Sequence, residues 1–98
     1  MNLRHATALA LVGWYLMCPP PDDSTFPSFA LDVDAPVSKW WRAKSFDTAA
    51  DCQEDLRREN REHAAEAVDH PTNLRERTAL ALKLGECIST DDPRLKGN

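Results

Sequence analysis

The sequence predicts an α+β domain: a small antiparallel sheet with two helices packed on one face and one disulfide. Three observations point there. All seven aromatic residues lie in the first 46 positions, among short strand-like runs. From Asp47 onward the chain has none, and its Ala and Leu recur at helical spacing. Such a half buries little volume alone, so the aromatic half must pack on it. Finally, with 98 residues the chain has room for one core, and cysteines are spaced to staple it.

The first segment, residues 1–12, reads as an export signal or anchor. Arg4 lies in a short polar start, and residues 6–18 carry no charge until Pro19, Pro20 and Pro21 stop any helix. This run also makes membrane association through residues 6–18 conceivable. A junction for cleavage is poorly marked: Met17 and Cys18 precede proline. Buried-strand character in Trp14–Met17 is the alternative, and it supplies the first strand, about 13–17, of a single domain over 13–98.

Residues 19–36 hold five of the seven prolines and read as a Pro-rich loop. Asp32 and Asp34 form an Asp-x-Asp, but no glycine turn or closing glutamate follows, so a solvated acidic loop is the simpler reading than calcium. Residues 39–46 read as the second strand. Strict alternation puts Trp41, Ala43 and Ser45 on one side and Trp40, Arg42, Lys44 and Phe46 on the other. Tryptophans 14, 40 and 41 are expected to fill much of the core, and an exposed Trp40 or Trp41 would be a contact residue.

Asp47 is a suitable N-cap for a helix over about 48–68, ended by Pro71. Ala49, Cys52, Leu56, Asn60, His63 and Ala67 share one face, while Glu54–Arg58 and Arg58–Glu62 pair at i, i+4 on a solvated face, each worth about 0.3 kcal/mol. Asn73 caps a second helix over about 74–85, with Gly85 as its stop. Cys87–Thr90 forms the third strand, about 87–90.

Cys18, Cys52 and Cys87 allow three single pairings, and no Cys-x-x-Cys is present to suggest a redox or zinc motif. Geometry favours Cys52–Cys87: one lies in the first turn of the long helix on its apolar face, the other where the chain returns to the core. That bridge would place the protein in an oxidising compartment.

Composition excludes several function classes. The net charge of −4 argues against a general nucleic-acid binder, which would need a basic face. Three glycines build no phosphate-binding loop, and no cofactor is implied. No nucleophile motif is present, and the reading leans away from an enzyme. His63, Glu66 and His70 are the candidate metal ligands, yet two helical turns hold the imidazoles about 10 Å apart; a helix-face His63 and a helix-end His70 are the simpler account.

Three segments carry a resemblance: Gly-Trp-Tyr-Leu-Met-Cys-Pro-Pro (13–20), Ala-Pro-Val-Ser-Lys-Trp (35–40) running into Lys-Ser-Phe-Asp-Thr-Ala-Ala-Asp-Cys (44–52), and Cys-Ile-Ser-Thr-Asp-Asp-Pro-Arg-Leu-Lys (87–96). Together the chain resembles a group of short, uncharacterised exported bacterial proteins. The resemblance implies an exported protein with Cys52 and Cys87 paired; it implies no activity. Cys18 departs from the pattern, standing where an apolar or small polar residue is expected.

Three functions are therefore expected in order: a non-catalytic exported protein (periplasmic, envelope-anchored or secreted) acting on a protein partner or through structure; a small-ligand binding module using an exposed tryptophan and the 19–36 loop; and a cytosolic metal-binding regulator using His63, Glu66, His70 and reduced cysteines.

Overall fold

The computed structural model of the protein describes residues 12–22 and 29–96. The export or anchor assignment for 1–12 lies, except for Val12, outside the described residues, as does the middle of the Pro-rich loop.

Three antiparallel strands form the sheet, in the order β2-β1-β3: β1 is Trp14–Cys18, β2 is Trp41–Phe46 and β3 is Glu86–Ser89. The uncharged N-terminal run thus ends as the central strand. Apolar residues buried on both faces suit that place: Leu16 and Cys18 are fully buried and Met17 nearly so. Two helices complete the domain, α1 over Ala49–Glu62 and α2 over Leu74–Lys83. The predicted α+β architecture, including the Cys52–Cys87 disulfide, is the one observed.

Register assigns the faces. Leu16 sits opposite Lys44 on one side and Cys87 on the other, so these three point toward the helices. Cys87 meets Cys52 in the first turn of α1. Tyr15, Met17 and Ile88 point the other way, where Arg42 stands 4.0 Å over the Tyr15 ring. The core on the helix side is built from Leu16, Cys18, Cys52, Ala81 and Leu82, with Trp14, Leu31, Ala43, Phe46, Leu56 and Cys87 packed against it.

Four expectations need correction. Trp14 packs at the edge of the core and Trp40 is half-buried, while Trp41 is 53% exposed; aliphatic and sulfur side chains, small enough for a thin domain, occupy the centre. Residues 37–39 form a 3-10 turn after Pro36, so β2 begins at Trp41 rather than 39. The long helix ends at Glu62 instead of 68. Beyond His63 the chain tightens into a 3-10 turn over Ala64–Glu66, and Ala64 and Ala65 are exposed, with no apolar stripe left to hold an α-helix against the core. Its N-cap is Thr48, not Asp47: Thr48 Oγ1 accepts a hydrogen bond from the Asp51 amide at 3.1 Å.

Asn73 caps α2 as expected, its Oδ1 accepting from the Glu76 amide at 2.8 Å. Glu76 reaches back to the amide and hydroxyl of Thr72, which satisfies a further donor ahead of the helix. Gly85 is needed for close approach. A Cβ there would lie 3.2 Å from the carbonyl oxygens of Leu82 and Met17 and 3.3 Å from Cys18 Sγ.

The described ends of the Pro-rich segment pair with each other. Asp22 donates its amide to Ala30 and Asp32 donates to Pro20, with Pro21 bridged to Leu31. Donors at alternate positions let the segment pair despite its prolines. Asp32 Oδ1 then accepts from the Asp34 amide, so the Asp-x-Asp is a turn.

Candidate functional site

Where the Pro-rich segment, β2 and α2 meet, they enclose an open cleft of about 380 Å³. Pro19, Pro21 and Leu31 form one wall, Trp41 another, and Leu74, Arg77, Thr78 and Ala81 the helical floor. Positions 74, 77, 78 and 81 recur at helical spacing, so they form one stripe of α2. The volume falls within the range of small-ligand sites, about 300–1,000 Å³, and an apolar lining with few polar groups is their usual chemistry.

A β-bulge brings Trp41 there. From Trp14 to Leu16 the β1–β2 ladder runs regularly, pairing Trp14 with Phe46 and Leu16 with Lys44. Between Leu16 and Met17 the register shifts, leaving Ala43 as the extra residue, so that Met17 pairs with Arg42 and Cys18 with Trp41. Strict alternation fails at this point. Trp41, Lys44 and Phe46 all face the helices, and Arg42 and Ser45 face away. In a regular strand Arg42 would stand opposite Cys18, and Trp41 would point out of the other face.

The two adjacent tryptophans are thereby sorted. Trp40 is held structurally, its indole Nε1 donating to the Ala35 carbonyl at 2.8 Å. Trp41 is the exposed one and lines the cleft with the Pro-rich segment. Arg77 is the charged member of the lining. Its guanidinium lies 5.5 Å from the Phe29 ring centroid, and it forms no ion pair among the described residues. Arg77 was not singled out from the sequence; among twelve cations, only the fold distinguishes it.

Of the metal-ligand candidates, His63 and Glu66 meet and His70 stands apart. His63 Nδ1 is 3.3 Å from Glu66 Oε1, and Glu66 is also held by Arg75 at 3.3 Å. His70 is exposed in the connection to α2 and joins neither. A different trio on α1, Glu59, Glu62 and His63, brings one ligand atom each within 4.8 Å of the others. Its carboxylates already face cations: Glu59 lies 4.0 Å from Lys44 and 3.8 Å from Arg58, and Glu62 lies 4.0 Å from Arg58.

Two further polar features are structural. Asp55, only 8% exposed, accepts from Lys44 Nζ at 2.8 Å and from Arg58, tying α1 to β2. Of the sequence pairs, Arg58–Glu62 is present, and Arg58 turns to Asp55 as well. Cys18 is a fully buried free thiol, and burial pushes its pKa up to about 11. Such a thiol behaves as an inert core residue.

No protein-family model, curated protein or solved structure matches the chain.

The segments that carry the resemblance become the sheet and its turns. Gly13–Pro20 contains β1, residues 35–40 contain the 3-10 turn before β2, Lys44–Cys52 joins β2 to α1, and Cys87–Lys96 holds β3, apart from Glu86, and the turn after it. In that turn Asp92 accepts from the Arg94 amide and side chain, and these bonds lower the Asp92 pKa. Of the cleft lining, only Pro19 falls within those segments.

Proposed function

We propose that the protein is a small exported binding module whose cleft at Trp41 takes an apolar small ligand. The observation that carries this reading is the placement of exposed Trp41 against Pro19, Pro21 and Leu31 over the α2 stripe. Exposed Trp41 and exposed Leu74 line the same concave apolar cleft, and a contiguous apolar patch of this kind marks a binding site where a lone exposed side chain would not; the bulge is what aims Trp41 into it. The Cys52–Cys87 disulfide is compatible with an oxidising compartment and so supports export, as do the uncharged start of the chain and the resemblance above. The scaffold segments that carry the resemblance would be shared with the exported group, and the cleft would set this protein's own ligand. The cytosolic metal regulator has less support, because two of its reduced cysteines are joined and His70 stands apart from His63.

The test uses protein made in an exporting host and purified without reductant. Intact mass should show one disulfide and loss of residues up to about 12. A neutral apolar dye, N-phenyl-1-naphthylamine, should bind with enhanced emission, and Trp41→Ala should abolish the enhancement while the disulfide still forms. Three free thiols together with full retention of residues 1–12 would sink export. Unchanged dye binding in Trp41→Ala would sink the cleft.

A further inference from the structure

The cleft has a polarity as well as a shape, and this bears on which ligand it takes, granted the binding reading above. Its walls are apolar from Pro19 and Pro21 through Leu31 and Trp41 to Leu74 and Ala81, and a cation stands among them. The net charge is −4, and Lys44, Arg58, Arg75 and Arg94 each have a carboxylate within 4.0 Å. Arg77, like Lys39, Arg42, Arg57, Arg61, Lys83 and Lys96, has none among the described residues. Its place sets it apart: it is the cation that lines this cleft, beside the Phe29 ring.

We propose that the ligand is an apolar monocarboxylate, its hydrocarbon body on Trp41, Leu31 and Leu74 and its carboxylate on Arg77. A guanidinium on an apolar wall is partly desolvated, which strengthens its attraction for an anion over that of a cation in open water. The planar fork suits a carboxylate in a bidentate pair, and the neighbouring Thr78 hydroxyl adds a donor on the same stripe. One positive charge matches one negative charge; a dianion would leave charge uncompensated in an apolar setting, and a cation would be repelled. A neutral ligand of the same body would fill the cleft but leave Arg77 without its counter-ion.

The test compares decanoate, decanol and decylamine below their aggregation limits, followed by tryptophan emission, with Trp41→Phe identifying the responding residue. Decanoate is expected to bind about tenfold more tightly than decanol, the margin between a charge-assisted and a neutral hydrogen bond, and decylamine more weakly still. Arg77→Gln should bring decanoate down to the level of decanol, Arg77→Lys should keep part of the preference, and added salt should narrow it. Equal binding of decanoate and decanol, stronger binding of decylamine, or a preference that survives Arg77→Gln would overturn the carboxylate assignment and leave the cleft intact as a binding site. Absence of binding by all three ligands and by the neutral dye would overturn both. The comparison of ligands on the unaltered protein decides the matter even if a variant misfolds.

Discussion

Trp41 stands opposite Cys18, on the helix side of the sheet, because Ala43 is one residue more than the β1–β2 ladder can pair. The most exposed tryptophan and the most buried thiol are therefore cross-strand neighbours. One edge of the core opens at this pair, and the cleft begins there.

Removing the extra residue should preserve this arrangement. With Ala43 deleted, Arg42 follows Met17 and Trp41 follows Cys18 in an unbroken ladder, so both keep their faces. Urea unfolding should report a change of no more than about 2 kcal/mol, and Trp41 emission and dye binding should persist. Loss of dye binding in a folded deletion variant would show that the bulge shapes the cleft itself and does more than aim Trp41.

The disulfide closes a loop with a sequence separation of 35. Replacing Cys52 and Cys87 together by Ser should cost about 3.5–4 kcal/mol from the unfolded-chain entropy. Denaturant titration of the oxidised protein against the double variant measures it. A difference under about 1 kcal/mol would mean the denatured chain is already compact around this pair.

Cys18 should be silent toward thiol reagents in the folded protein and react fully once unfolded. Its folded pKa of about 11 exceeds the model-compound value of 9.0. The thiol therefore contributes stability that is complete below pH 9 and lost as pH rises from about 9 to 11. The two-unit gap corresponds to roughly 2–3 kcal/mol. Comparing stability against pH for Cys18→Ala and the unaltered protein isolates this contribution: the alkaline decline should be shallower in the variant, and parallel curves would refute the assignment.

Asp55→Asn should destabilise by about 2 kcal/mol, because a nearly buried carboxylate holding two cations is lost while Lys44 and Arg58 keep their charge. Lys44→Met should cost less, since Lys44 is more than a third exposed and Arg58 still holds Asp55. Chemical denaturation of the two variants gives the order; a larger loss for Lys44→Met would place the weight of the tie on β2 packing instead.

Composition and periodicity made much of this legible. Short runs with aromatic or apolar residues marked the strands, the Asn73 cap and Gly85 bounded α2, and the apolar position of Cys52 one turn into α1 pointed to Cys87. The core's identity was not legible, because tryptophan's size suggests burial whereas a three-stranded sheet with two short helices has room only for Leu16, Ile88 and sulfur-sized groups at its centre. The cleft was half visible. The pairing of an exposed tryptophan with the 19–36 segment could be read, but which tryptophan could not, since a bulge reverses parity and leaves no sign in the residue types around Ala43. Arg77 and Asp55 depend on tertiary placement and carry no local signal.

The order of the strands has a consequence for how the domain is made. Gly13 donates to Thr90 Oγ1, partners 77 positions apart, and β1 is the strand in the middle. β1 can pair with β2 once residue 46 has been made, but its other edge stays open until β3, residues 86–89, joins it. Folding is expected to be slow for so short a chain, governed by long-range pairing rather than by the helices. Until β3 joins, the sheet is a two-stranded pair of marginal stability, so a route across a membrane in the extended state would compete with little stable structure.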